Sequence, residues 1–167
     1  MDNASAIVSP ALHRLRQAHG GLGGVELLDA VIRTEFPGRI AVVSSFGAES
    51  AVLLHMVAQI DPATPVISLN TGKLFGETLR YRDRLQEKLG LTDIRAAGPH
   101  PADLAARDPN GGLWNTDPDG CCHVRKVLPL ERALKHFDAS ITGRKRFQTS
   151  ARAAMETIEE ERVRGTG

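Results

Sequence analysis

Four short segments of the chain combine residue types that can hold or transform an anion. The first reads Ser44, Ser45, Phe46, Gly47, Ala48, Glu49 and Ser50. Small residues at a strand-to-helix junction let backbone N–H groups turn toward an anion, and Gly47 permits close approach or a positive φ. The helix dipole adds about half a unit charge. The hydroxyls of Ser44, Ser45 and Ser50 are further donors. An ordinary loop with a serine cap has the same composition, and the Gly-Lys-Ser of a Walker loop is missing. The second segment is Asn70, Thr71, Gly72 and Lys73 after Leu69. It is a glycine turn with a lysine, suited to the base or ribose of a nucleotide, or simply a turn. The third runs Cys121, Cys122, His123, Val124, Arg125, Lys126. Its vicinal thiols can be thiolate ligands, and Arg125 and Lys126 can lower their pKa values and offset the charge of a metal-sulfur centre or an anionic substrate. Two cysteines do not complete a four-cysteine cluster, and two incidental thiols at a helix start are the plain alternative. The fourth is Thr142, Gly143, Arg144, Lys145, Arg146, Phe147 and Gln148, with Arg152 beyond. Three consecutive cations can clamp a phosphate or sulfate by charge-assisted hydrogen bonds, or form a solvated basic turn. His55 and His100 show no metal-ligand spacing and read as structural.

These segments need strands and helices to position them. Residues 12–31 alternate apolar and charged positions around a glycine break at 20–24, which predicts two short helices, the second from 25 to about 36. Residues 39–43 form a compact β-branched run, as a buried parallel strand would. Val52, Leu53, Met56, Val57 and Ile60 then recur at helical steps. The unit repeats: a strand at 65–69, then a helix at 75–89 with Leu79, Leu85 and Leu89 inward and Gly90 as its cap. A third strand is expected at 93–97 and a fourth at 139–142, with a helix at 123–135 in which Pro129 sits near the first turn or makes a kink. Between them, residues 98–120 carry four prolines and four glycines and read as mostly loop. Strands alternating with helices predict an α/β domain, a mostly parallel sheet covered on both faces. All four segments then fall at the carboxyl ends of strands, where such folds bind ligands.

The 167 residues suffice for one compact domain with its own core, and 21 Lys and Arg against 20 Asp and Glu leave no global field for nucleic acid or an anionic membrane. The amino end shows neither a basic leader nor the apolar stretch of a secretory signal, and no apolar run is long enough to cross a bilayer. A disulfide between adjacent cysteines would be a strained ring, so a cytoplasmic, reducing location is expected.

Taken jointly and in order, SSFGAES, SLNTGKLFGETLRY, CCHVRKVLPL and SITGRKRFQTSARA resemble the assimilatory adenylyl-sulfate and phosphoadenylyl-sulfate reductases, over residues 38–155. The first segment alone is closer to the SxGxDS loop of adenylating ATP pyrophosphatases. The resemblance implies an adenine nucleotide α-hydrolase-like, Rossmann-like fold. Residues 1–37 are expected as a helical segment packed on a reductase domain at 38–155, and the charged tail at 156–167 is expected to fray. The activity implied is reduction of activated sulfate to sulfite, with electrons from thioredoxin or glutaredoxin, and a homo-oligomer is possible. Paired cysteines before the Arg-Lys step resemble the iron-sulfur branch, which acts mainly on adenylyl sulfate. The other branch uses the 3′-phosphorylated substrate.

Carried over by position, Ser44 to Ser50 hold the adenylate phosphate and ribose. The backbone of Leu69, Asn70, Thr71 and Gly72 frames the adenine, with Lys73 beside it, and Gly143, Arg144 and Gln148 form a further wall. Cys121 and Cys122 match the first two ligands of a four-iron, four-sulfur (4Fe-4S) cluster, and Lys126 a lysine between cluster and substrate. The family's nucleophilic cysteine and second cysteine pair have no match in these 167 residues and are expected beyond Gly167, so the chain resembles a truncated reductase. Asn70 stands where an aspartate is common and Phe147 where a polar residue is common. Two other readings compete. An ATP pyrophosphatase-like adenylyltransferase needs a carboxylate for Mg²⁺, and the loop offers only Glu49. A non-catalytic nucleotide-binding fragment needs nothing further.

Overall fold

The computed structural model describes residues 9–161. It divides into two compact units, one spanning Leu28–Gly143 and the other made of the residues before and after it. In the larger unit, β1 (Ile40–Ser44), β2 (Val66–Leu69), β3 (Ile94–Ala97) and β4 (Ala139–Thr142) form a wholly parallel sheet in the order β3-β2-β1-β4. The pairing sets Val43 beside Ile67 on one side and Thr142 on the other, so Ser44 and Gly143 are neighbours at the carboxyl edge.

The helices are numbered from the amino end: α1 (Pro10–His19), α2 (Gly24–Asp29), α3 (Ser50–Ile60) and α4 (Gly76–Leu89). They continue as α5 (Pro101–Arg107), α6 (Leu113–Thr116), α7 (Pro118–Cys122) and α8 (Leu128–Leu134). Parallel crossovers are right-handed. The steps β1 to β2 to β3 run one way and put α3 and α4 on one face. The return from β3 to β4 runs the other way and puts α8, which packs on β2 and β3, on the opposite face. Strand alternation agrees: Val42 and Val66 join the main core with Leu54, Val57 and Leu85, while their neighbours Ala41 and Ile67, aimed at the other face, are equally buried. The order also makes the β1–β4 edge the point where the chain's winding reverses, which is where open α/β sheets take ligands.

Two expectations need correction. The inward stripe of α3 centres on Leu54, Val57 and Ile60, and Val52 faces outward, 66% exposed. Residues 98–120 are largely helical. Pro101 and Pro118 each start a helix, because a proline in the first turn has no N–H to lose and its φ suits the helix. The His100 ring nitrogen accepts from Ala102 N at 3.2 Å and the Asp117 carboxylate from Gly120 N at 3.0 Å, so both starts are capped. The last helix therefore begins at Pro118 and not at His123, passing through a π-helical stretch, His123–Val127, before α8. Helix α4 ends as expected at Gly90, φ 70°, with Leu91 buried beyond it. In the other unit, Arg16 of α1 donates to the Ile158 carbonyl at 2.9 Å. Residues 1–8 of the amino segment and 162–167 of the tail, Gly167 included, lie outside the described residues. The nucleophilic cysteine expected beyond Gly167 lies outside them as well.

At the end of β3, a Cβ on Gly98 would stand 2.8 Å from the Asn70 carbonyl oxygen, a backbone atom that cannot swing aside. Gly98→Ala should therefore lower stability by about 1–3 kcal/mol, read as a lower urea midpoint.

Candidate functional site

Residues 44–50 leave the central strand and open α3. Ser44 is buried and its hydroxyl accepts the Phe46 N–H at 3.1 Å, so this serine shapes the loop from within. The turn itself differs from expectation. The positive φ falls on Phe46, at 53°, and not on Gly47; no other non-glycine among the described residues has one. A buried aromatic ring, 3% exposed and part of the core, holds this strained backbone in place. Beyond it, Ser45, Gly47, Ala48 and Glu49 are exposed and Ser50 half-buried. The N–H groups of Gly47 and Ala48 have no hydrogen-bond partner among the described residues, and Glu49 gives α3 no side-chain cap. Open amides at the start of an 11-residue helix are an arrangement that favours an anion.

The turn after β2 is held from several sides. Its peptide between Thr71 and Gly72 is fixed at both ends: the N–H donates to Asn70 Oδ1 at 3.0 Å, and the carbonyl accepts from Arg125 Nη1 at 2.8 Å. Gly72 has φ 75°, a conformation that favours glycine. Lys73 donates its backbone N–H to Thr71 Oγ1 at 3.3 Å and its ammonium to the Gly111 carbonyl at 3.1 Å. Leu69 ends the strand, and Asn70 N continues the ladder to the Ala97 carbonyl at 2.8 Å.

Arg125 enters a buried ion pair. It is buried, and its Nε and Nη2 both reach Asp108 Oδ2, at 3.2 and 2.6 Å, while the other carboxylate oxygen accepts Leu113 N at 2.9 Å. The Arg125 bonds, then the Leu113 N–H, hold the Asp108 carboxyl below its ordinary value of 3.8. A carboxylate with a folded pKa below its unfolded one stabilises the fold above the unfolded value and loses that contribution as pH falls through the folded one. Stability of the wild type should thus fall more steeply than that of Asp108→Asn between about pH 5 and about pH 3 in urea titrations. Asp108 lies in the stretch read as loop, and no spacing rule links it to a partner 17 residues on.

Of the two cysteines, both free, Cys121 is buried and Cys122 exposed at the end of α7. Adjacent helical residues point about 100° apart, which accounts for the difference. Among the described residues no group of three or more His, Cys, Asp or Glu side chains converges to hold a metal. A four-iron, four-sulfur cluster takes four thiolates, so the donors described do not complete one. Lys126 is exposed on the π-helical stretch.

Gly143 closes the larger unit, and a Cβ there would meet Leu53 of α3 at 3.5 Å, an ordinary contact. The larger unit thus gathers residues 44–50, 70–73 and Gly143 at the carboxyl edge of its sheet. Arg144 and Gln148 belong to the other unit. There the segment folds on itself: Gln148 Oε1 accepts Lys145 N at 3.0 Å and also Arg152, Lys145 Nζ sits 5.6 Å from the Phe147 ring centroid, and Arg146 donates to the Met155 carbonyl at 2.6 Å.

The family model described as "Phosphoadenosine phosphosulfate reductase domain" matches residues 39–165. The chain belongs to that family. It is 52% identical over 141 residues to an adenosine 5′-phosphosulfate reductase of Mesorhizobium japonicum, covering 84% of this chain and 56% of the relative. With one from Chelativorans sp. the identity is 51%, over 78% of this chain and 53% of that one. A phosphoadenosine 5′-phosphosulfate reductase of Alkalilimnicola ehrlichii is 38% identical over 74% and 52% of the two chains. The chain therefore spans about half the length of the curated relatives it matches. A solved phosphoadenylyl-sulfate reductase from Candida auris, in complex with phosphate, shares the fold with a TM-score of 0.73 at 24% identity, covering 95% of this chain and 76% of that one. The α/β fold expected of the phosphosulfate reductase family is thus present, with its four strands all parallel. Among the described residues no helix is long and apolar enough to cross a membrane.

Proposed function

We propose that this chain provides the nucleotide-binding part of a reductase that converts adenylyl sulfate to sulfite and AMP in sulfate assimilation in the cytoplasm. One observation carries the reading: 52% identity across 84% of the chain to a relative named for that activity. The open amides of Gly47 and Ala48, with Ser45 and Ser50, hold the phosphate of the leaving nucleotide, and an anion already paired there is a better leaving group. The turn at 69–73 meets the adenosine, and Gly143 leaves room for it. Arg144 and Gln148 join on the resemblance of their segment alone.

In this reading a cysteine thiolate, supplied from outside these 167 residues, attacks the sulfate sulfur. The S–O bond to the nucleotide breaks, AMP leaves with the electron pair, and an S-sulfocysteine remains. A dithiol carrier of the thioredoxin or glutaredoxin type then releases sulfite, its two thiols becoming a disulfide. Cys121 and Cys122 would hold two of the four thiolate positions of an iron-sulfur centre rather than act as the nucleophile, and the exposed Lys126 ammonium would offset negative charge of that centre and of the sulfate.

The 167 residues alone should bind AMP in titration calorimetry, and should release no sulfite from adenylyl sulfate with reduced thioredoxin. Absence of AMP binding would overturn the nucleotide site. Sulfite release would overturn the ligand role of the cysteine pair. Tighter binding of the 3′-phosphorylated nucleotide would move the assignment to phosphoadenylyl sulfate, the substrate named for the relative at 38% identity.

A further inference from the structure

We propose that Arg125 is a positioning residue that couples the turn after β2 to the helix bearing the cysteine pair, so that nucleotide binding at Asn70 to Lys73 and the local opening of that helix at residues 124–128 respond to each other. The inference rests on the reading of that turn as a nucleotide contact.

The connection is a closed circuit through three chain segments. From the turn, the Thr71 carbonyl accepts Arg125 Nη1. From Arg125, Nε and Nη2 grip a single oxygen of Asp108, in a pair whose side chains are 9% and 2% exposed. From Asp108, the second oxygen takes the Leu113 N–H at the start of α6. Two residues before Leu113, the Gly111 carbonyl takes the Lys73 ammonium, which returns the circuit to the turn. Arg125 itself lies three residues after Cys122, inside the π-helical stretch. A shift of the Thr71–Gly72 peptide, fixed at its other end by Asn70, is thus transmitted to the guanidinium and to the helix one turn from the thiol.

A pair that only stapled the fold would need charge and burial. Coupling needs the planar fork, because one face of the guanidinium must satisfy Asp108 while another donor reaches Thr71. Lysine keeps the charge and lacks that geometry. Arg125→Lys is therefore the informative variant. Losing the Thr71 bond should weaken AMP about ten-fold.

The test pairs AMP titration with amide exchange at residues 124–128, followed by peptide mass spectrometry. In the wild type, saturating AMP should slow that exchange. In folded Arg125→Lys, AMP should bind about ten-fold more weakly and exchange at residues 124–128 should no longer respond to saturating AMP. The double variant Arg125→Met with Asp108→Leu should regain stability without regaining the response, and it is read in the same way if Arg125→Lys fails to fold. A wild-type response retained in Arg125→Lys, or in the double variant, overturns the proposal, as does wild-type exchange at residues 124–128 that ignores bound AMP. If the wild type binds no AMP, the nucleotide reading fails by itself, and the coupling is judged by Asn70→Ala, which frees the Gly72 N–H end of the turn. Faster exchange at residues 124–128 in folded Asn70→Ala supports it, and unchanged exchange overturns it.

Discussion

Arg125→Met should be less stable than the wild type by about 3–5 kcal/mol in urea unfolding, the cost of leaving one buried charge without its partner. At about 2–4 °C per kcal/mol for a chain of this size, the melting temperature should fall by roughly 10 °C. The Asp108 carboxylate would keep its bond from Leu113 N but lose both guanidinium contacts. Burial beside a methionine disfavours the charged form, so the carboxyl's pKa should rise in the folded variant. That reverses the pH dependence: Arg125→Met should recover stability relative to the wild type as pH falls, where the wild type loses it. Removing both partners, with Asp108→Leu added, should return most of the loss, because an apolar pair has no charge to strand. A single variant as stable as the wild type would show that solvent reaches the pair.

Ala48→Asp should weaken AMP binding about 100-fold while leaving stability within about 0.5 kcal/mol. The residue is exposed, in the turn just before α3, and its amide has no partner among the described residues. A carboxylate there would face the phosphate of the proposed nucleotide site. Two unit charges about 4 Å apart repel by about 4 kcal/mol at a surface-like dielectric, and salt reduces this. The same carboxylate is favoured near the helix amino end, so the fold has no reason to suffer. Affinity and stability thus separate, and calorimetric titration beside urea unfolding reads both. Raising ionic strength should narrow the affinity gap. An unchanged affinity would place the phosphate elsewhere.

The sheet was readable because each strand is a short β-branched or apolar run between turn residues. The expected 39–43 and 93–97 differ from β1 and β3 by a residue at most at either end, and 139–142 agrees with β4. Where reading failed, the signals pointed two ways. Proline and glycine density at 98–120 suggested loop, yet Pro101 and Pro118 stand at first-turn positions where they favour helix. In residues 44–50, glycine was the natural place for a positive φ, but Phe46 takes it because burying its ring offsets the strain. The apolar residues of α3 span more than one face, so Val52 could be assigned inward from spacing although Leu54 holds that place. Asp108 and Arg125 were beyond reach for a different reason. A buried ion pair is a tertiary fact, and Arg125 beside Lys126 and two thiols suggested a local electrostatic role instead. Of the candidate site, the open strand-to-helix loop and the turn after β2 were accessible from residue types. The hydrogen bonds that lock the turn were not.

The π-helical stretch His123–Val127 has a consequence for how this helix tolerates change in length. A π-bulge amounts to one residue added to an α-helical repeat. Deleting a residue from it would restore regular winding while turning Cys121 and Cys122 by about 100° around the axis relative to α8. The helix would survive with its caps, and Arg125 would lose its aim at Asp108 and Thr71. Length here is therefore a phase setting, and a chain one residue shorter would keep its outline while placing its thiols on another bearing.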